Sequence, residues 1–367
     1  MRTPKTFIIF ISFFLALIGA ASWFVVNTAA HVFPNHAYTI ALFGWIPFAF
    51  FPLLLLGTMI VRNVKYIPAT KYTYLAGMTW LPFLIYLFLS AVIVRVYDLL
   101  GPHTIATKDV GLILFFASVG VMIIGTIQAL RYAVATYEIS APLLKEKWGD
   151  KKIILVSDVH LGMVRRRPFA EYLVTTINKL SPDIVFIAGD LIDGPIFPYD
   201  DDLSPLGQIK STFGTHYAAG NHDEYNSEQE KYYASLTKYI NVLNDKKIIL
   251  NDTQIVGVRF AAEKLDDTKK RLVGMDYKRD MPSIAMLHDP KNVQALADMG
   301  VTLTLSGHTH GGQFWPFSMT VKAMYGSLAR GVNYIGKMAQ FTSMGIGTGG
   351  PVFRLGTRPE IVVLKIK

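Results

Sequence analysis

The 367-residue chain contains no cysteine. Disulfides, thiolate metal ligands and cysteine nucleophiles are therefore excluded, and any metal must be held by His, Asp, Glu, Asn or water. Charge is scarce over the first third: residues 1–130 hold seven Lys/Arg and two Asp/Glu, against twenty-nine and twenty-five in residues 131–367. A mean hydropathy of +0.33 with 17% charged residues argues against a disordered chain and against a purely soluble one. The net +9 divides as +5 and +4, so neither part has the basic excess expected of a nucleic-acid binder. No internal repeat, low-complexity tract, P-loop or dinucleotide fingerprint is found. The glycine-rich run from Gly345 to Gly350 is not followed by a helical pattern, so a nucleotide-cradling role for it is weak.

The charge-poor part contains four apolar stretches, Phe7–Val26, Tyr38–Val61, Tyr72–Val96 and Val110–Leu130. Each reaches about 20 residues, the length of helix that crosses about 30 Å of hydrocarbon. The first also resembles a signal peptide, with Arg2 and Lys5 before it and Thr28-Ala29-Ala30 after it. Its uncharged run exceeds a usual signal core and three further stretches follow, so it is read as a span. Arg95, the one charge inside a stretch, lies near its end and is expected to reach the headgroups. Arg2, Lys5, Arg62, Lys65, Lys71, Arg131 and Lys145 flank one side and Lys108 the other. The bias places both termini, and the long C-terminal part, in the cytoplasm, with the spans in the cell (inner) membrane. No Asp, Glu or His lies mid-span, which favours an anchor over a transporter.

The expected organisation is a transmembrane domain over 1–130, a linker over 131–150 and a catalytic domain over 151–367. In that last part the texture becomes strand and loop. Apolar runs at Ile153–Ser157, Ile184–Ala188, His216–Ala219, Ile284–Leu287 and Val301–Leu305 each lead into a loop bearing Asp, Asn or His. Phe169–Leu180 has helical spacing, and Ile255–Val258 and Ile361–Ile366 suggest further strands. In layered α/β folds ligands gather beyond the carboxyl ends of strands, so one convergent polar site between packed sheets with flanking helices is expected.

The donors at those strand ends are Asp158, His160, Asp190, Asn221, His288, His308 and His310. Imidazole and oxygen donors without sulfur suit Mn, Fe, Zn, Co or Ni, and seven are too many for one tetrahedral ion. Two divalent ions sharing a carboxylate account for them better. Of the six histidines after residue 130, five fall in these loops and only His216 does not.

The blocks Asp158-x-His160, Gly189-Asp190, Gly220-Asn221-His222-Asp223, His288-x-Pro290 and Gly307-His308-Thr309-His310 resemble, in order, those of the calcineurin-like metallophosphoesterases. The run Gly307–Gln313 and the tail Gly347–Glu360 look like a bacterial phosphohydrolase branch of that family. The resemblance covers residues 150–367 and leaves out the spans. It implies a four-layer α/β/β/α sandwich. Asp158, His160 and His310 would hold one ion and Asn221, His288 and His308 a second, with Asp190 between them; manganese is the foremost candidate. His222 would face the scissile phosphate, with Asp223 orienting its ring. A metal-activated water would then hydrolyse a phosphodiester, pyrophosphate or phosphomonoester, with no need of a phosphoenzyme.

Arg165-Arg166-Arg167 follows the first block and suits a second substrate phosphate or anionic headgroups. Phe314-Trp315-Pro316-Phe317, at the presumed rim, suits either an acyl or prenyl chain, the membrane interface, or packing under a loop. Tyr199–Asp202 reads as an acidic surface loop and Arg354 as a brace for the C-terminal loops. The spans make a lipid-linked substrate attractive. The resembling family includes pyrophosphohydrolases of UDP-2,3-diacylglucosamine, which act at the cytoplasmic face. A tethered phosphodiesterase of soluble nucleotides, a phosphoprotein phosphatase and a non-catalytic membrane scaffold are the alternatives.

Overall fold

Short runs of Ile, Val and Leu punctuated by Gly, Asp and His have the pattern of strands buried on both faces, and that is how they fold. The computed structural model describes residues 4–64, 67–101, 104–193, 199–226, 228–260 and 265–367. Arg2 and Lys65, two of the charges that set the expected orientation, lie outside the described residues. The chain divides into two compact units: residues 1–60 with 69–126, and residues 61–68 with 127–367.

The first unit is helical. Four candidate spans, Ser12–Val32, Pro34–Val61, Thr70–Leu100 and Thr107–Leu130, are long and apolar enough to cross a membrane. Pro52 and Pro82 lie inside helices. Hydroxyl pairs link neighbouring helices, Thr58 Oγ1 to Thr73 Oγ1 at 2.7 Å and Ser90 Oγ to Ser118 Oγ at 2.9 Å. Because the third helix runs on to Leu100, Arg95 lies within it and donates to Thr28 Oγ1 (3.1 Å) and Asn27 Oδ1 (2.9 Å). Asp98, one turn further, meets His31 at 2.7 Å.

In the second unit the strands are β1 (Ala133–Ile139), β2 (Ile153–Val156), β3 (Leu161–Gly162), β4 (Ile184–Ala188), β5 (Ile192–Asp193), β6 (Thr215–Ala218) and β7 (Asn241–Val242). They continue as β8 (Lys246–Leu250), β9 (Thr253–Val258), β10 (Ser283–Leu287), β11 (Leu303–Ser306), β12 (Gly331–Ile335), β13 (Met338–Thr342) and β14 (Glu360–Ile366). One sheet has the order β1-β14-β2-β4-β6-β7 and the other β12-β13-β11-β10-β9-β8, while β3 and β5 pair separately. Within them β2, β4 and β6 run parallel, as do β9, β10 and β11.

The layers follow from what each face buries. Leu155, Phe186, Ile284, Leu305 and Phe341 form a core between the sheets. The outer face of the first sheet packs on the helix Arg167–Lys179 through Leu173 and Ile177. The outer face of the second packs on Leu272 and Leu296, from the helices Leu265–Gly274 and Val293–Asp298. The result is a mixed α/β fold of two sheets between two helical layers, preceded by four apolar helices.

Residues 131–150, expected as a linker, are part of this structure. They supply edge strand β1, parallel to β14, and the helix Pro142–Trp148, whose Leu144 and Trp148 are buried. Trp148 Nε1 donates to Thr253 Oγ1 at 2.8 Å. The segment is recruited because β14 would otherwise be an open edge. Phe341→Ala, between the sheets, should cost about 3–5 kcal/mol by the cavity it leaves. Denaturant midpoints of the detergent-solubilised chain measure this, and a shift worth under about 1 kcal/mol would contradict the packing described.

Candidate metal centre

The polar residues are gathered because the parallel strands of both sheets end on one side. Asp158 and His160 follow β2, Asp190 follows β4, and Asn221 and His222 follow β6; His288 follows β10, and His308 and His310 follow β11. Backbone hydrogen bonds lock these loops together. Asp158 N donates to Gly189 O (3.0 Å), His160 N to Asp190 O (3.1 Å) and Gly307 N to His288 O (3.0 Å). The carboxylates join the same lattice: His222 N donates to Asp190 Oδ1 (2.8 Å) and His308 N to Asp158 Oδ1 (3.1 Å).

This convergence requires unusual backbone. Asp158, His160, Asp190, His308 and His310 all have positive φ, between 48° and 71°. Each such non-glycine position costs on the order of 1–3 kcal/mol, and clusters of this kind mark functional sites. Glycine is obligatory where loops touch. Gly189 has φ +84°, and a Cβ there would lie 2.5 Å from His288 Nδ1; a Cβ on Gly307 would strike the Asp158 carboxylate.

Among the described residues the ligand atoms fall into two groups, Asp158 with His160 and His310, and Asp190 with His288 and His308, while His160 also belongs to a third with Asp193 and His222. In the first, His160 Nε2 faces His310 Nε2 at 3.2 Å, and His310 Nε2 lies 3.4 Å from Asp158 Oδ1. In the second, His288 Nε2 lies 3.2 Å from Asp190 Oδ2. Asn221 Oδ1 joins it, 2.7 Å from His308 Nδ1. Asp190 Oδ2 also lies 3.9 Å from His160 Nε2, so this carboxylate stands between the two groups. All seven donors read from the sequence are brought together.

The residues fit divalent ions on the structure's own terms. His288 Nδ1 is 2.7 Å from Ala188 O, an acceptor only, so that nitrogen carries the hydrogen and a neutral ring has its lone pair on Nε2. That Nε2 is buried and faces Asp190 Oδ2 at 3.2 Å without a well-aligned hydrogen bond. Burial, reinforced by His222 and His288 respectively, pushes His160 and His308 down to about 4, and burial with His160 and Arg354 drives His310 well down. Those three rings stay neutral with lone pairs available. Burial also acts on His288, but the facing Asp190 and Asp158 outweigh it and lift the ring to about 10. Asp190 is held well below the carboxylate range: its burial is overcome by His288, His222 and His160.

His222 stands at the edge of the cluster, its ring 4.8 Å from that of His160. The expectation that Asp223 orients it is corrected. The Asp223 carboxylate is buried and accepts from Gly220 N (2.8 Å), Leu191 N and Ile192 N (both 3.1 Å) and the Tyr232 hydroxyl (3.1 Å). His222 and Asp223 are successive residues of the short helix Asn221–Glu224, and successive helical side chains do not face each other. The partner is Asp193, whose Oδ1 lies 3.0 Å from His222 Nδ1. Sequence reasoning missed Asp193, although an acid three residues after Asp190 at the end of an apolar pair was a usable signal. Burial works against protonation of His222, but the Asp193 contact and the charges of Asp190, Asp193 and Asp223 raise it to about 9.

Around this centre the arginine run divides. Arg166 Nε pairs with Asp202 (2.6 Å), and Arg167 with Asp201 (2.6 Å) and Glu171 (2.7 Å), so the acidic Tyr199–Asp202 segment answers the basic one. Arg165 is buried, donates to Thr348 Oγ1 at 2.9 Å and lies over the Phe169 ring. Arg354 is fully buried and donates to Met344 O and Gly347 O, both at 2.7 Å. Gly347 N in turn donates to Asp158 O, also at 2.7 Å, so the brace reaches the first ligand group.

Layered α/β architecture with imidazoles and carboxylates at convergent strand ends defines a metal-binding class of domain. Comparison makes the class specific: residues 151–312 match the family model described as calcineurin-like phosphoesterase. The chain is 34% identical over 223 residues to an uncharacterized metallophosphoesterase of Helicobacter pylori, covering 59% of this chain and 60% of that protein. It is 34% identical over 240 residues to one of Campylobacter jejuni, covering 64% and 63%. It is 29% identical over 255 residues to a Bos taurus protein named transmembrane protein with metallophosphoesterase domain, covering 63% and 56%. The chain thus spans about three fifths of the length of these curated relatives. Residues 151–312 thus resemble a calcineurin-like phosphoesterase domain, and four apolar helices precede them in the chain.

Asp193→Asn keeps the shape of the pair but not its charge. It should leave metal content unchanged and lower kcat by about 10–100-fold. Elemental analysis and steady-state kinetics on one preparation check this, and an undiminished kcat would remove Asp193 from the machinery.

Proposed function

We propose that the protein is a membrane-anchored, dinuclear metal-dependent phosphoesterase acting on a lipid-linked phosphodiester, pyrophosphate or phosphomonoester. The observation that supports this most is the carboxylate of Asp190 standing between two groups of buried donors, with His222 at their edge. Asp158, His160 and His310 would hold one ion, Asn221, His288 and His308 the other, and Asp190 both. Divalent ions held there, manganese foremost, would supply Lewis-acid activation of water and neutralise phosphoryl charge.

The chain's own residues do the rest. Asp193 Oδ1 accepts a hydrogen bond from Nδ1–H of His222, which leaves Nε2–H for the departing oxygen of the substrate. The Asp193 contact favours the protonated ring, the form that a general acid requires. Asp223 ties the Asp190 and Asn221 loops together, and Arg354 steadies the loop beside Asp158.

The lipid-linked substrate, for which a UDP-diacylglucosamine-type pyrophosphate is the example, draws its support from the four apolar helices. The flanking Lys/Arg favour the cytoplasmic face of the cell membrane for the domain. Chelation should abolish hydrolysis of aryl phosphate esters, and Mn²⁺ should restore it. His222→Ala should retain its metal and lose about 10²–10⁴-fold in kcat. A screen of the metal-loaded chain on lipid-linked pyrophosphates and phosphodiesters, nucleotides and phosphopeptides tests the substrate. Turnover confined to nucleotides or phosphopeptides would overturn the lipid reading.

A further inference from the structure

Beyond Gln313 the chain leaves the metal centre, forms the helix Phe317–Tyr325, and returns. Both ends of this excursion are pinned to the centre. It departs through Gly311 and Gly312, at φ +59° and +80°. On return, the Tyr325 ring lies 6.3 Å from that of His308, and Thr309 Oγ1 donates to Ala329 O at 2.6 Å.

The helix differs from its neighbours in the same unit. The helix Arg167–Lys179 buries Ala170, Leu173, Val174 and Ile177, whereas Phe317–Tyr325 buries no residue at all. Its large apolar side chains are nevertheless many: Phe317 is 45% exposed, Met319 63% and Met324 66%, with Trp315 just before them at 45%. Phe317, Val321 and Met324 are spaced as one helical stripe. Phe314 is the inward anchor, buried against Phe353 with ring centroids 5.2 Å apart. An apolar surface of this kind, beside a site and without a core beneath it, calls for a cover.

Charge selects the cover. Residues 299–359 contain no Asp or Glu and five Lys/Arg, of which all but the buried Arg354 are exposed. Lys322 on the helix and Arg330 just after it are exposed. Asp289, in contact with Tyr325, is the acid that faces this element from outside the segment. Tryptophan, Phe and Met beside Lys and Arg are the composition of a segment lying in a membrane interface rich in anionic lipid.

We infer that Trp315 and the helix Phe317–Tyr325 form an interfacial seat that lies on an anionic lipid surface. The seat rims the metal centre, so a phosphate presented at headgroup level meets it directly. It does not depend on what the centre cleaves, and its test does not read turnover.

The absence of cysteine makes the test clean. Met319→Cys and Met324→Cys each give the full chain a single thiol for an environment-sensitive dye. The exposed Lys238→Cys, before β7 and hence at the opposite end of the sheet, is the reference. The labelled chains are placed in nanodiscs of phosphatidylcholine, with and without phosphatidylglycerol, carrying shallow nitroxide lipids. The expected result is blue-shifted emission and nitroxide quenching at 319 and 324, stronger with phosphatidylglycerol, and neither at 238. Phe317→Glu combined with Met324→Glu should abolish quenching at 319 while metal content is retained. Quenching at 319 no greater than at 238 overturns the seat, and quenching independent of phosphatidylglycerol overturns the anionic assignment. A blue shift at 319 without lipid quenching, rising with the number of chains per disc, assigns the surface instead to a second copy of the chain.

Discussion

Asp190 is the residue on which the arrangement turns. Its carboxylate lies 3.2 Å from His288 Nε2 and 3.9 Å from His160 Nε2, while its other oxygen accepts the amide of His222. Each contact comes from a different strand end, so one short side chain ties the two sheets together at their common edge. Beside it the neutral imidazoles of His160 and His310 bring their Nε2 atoms to 3.2 Å from each other. Without a positive charge among them such groups gain nothing from their proximity, and their burial is a cost. Divalent ions held by these donors would convert the crowding into coordination.

The same constraint explains the backbone. Five of the seven donors sit at positive φ, which strand ends reach only when the chain must turn sharply to aim a side chain back across the sheet edge. Asp223 and Arg354 then act as internal scaffolding. One gathers amides from two loops, and the other, without reaching the substrate itself, braces a loop through its carbonyls. Metal-centre strain is thus balanced by a dense hydrogen-bond lattice rather than by apolar packing alone.

Much of this was legible because strand-end loops advertise themselves. An apolar run leading into Asp, Asn or His is a local pattern, and five in order point to the donor set without knowledge of the fold. What escaped notice was non-local or geometric. Strand β1 alternates half-buried and exposed residues at a sheet edge, directly behind a long apolar helix, and so read as linker. The His222 partner was misassigned to its sequence neighbour, because adjacency in sequence is opposed to adjacency in space on a helix. The helix Phe317–Tyr325 was seen only through its first residues, since it carries no buried face to give it a periodic signature.

A pair of ions sharing Asp190 is the central claim, and magnetic coupling between them is its most direct observable. Electron paramagnetic resonance of the Mn²⁺-loaded full chain should show an exchange-coupled pair that Asp190→Ala converts to isolated ions or to none. A spectrum of isolated Mn²⁺ in the unaltered chain, at every ratio of metal to protein, would contradict the account.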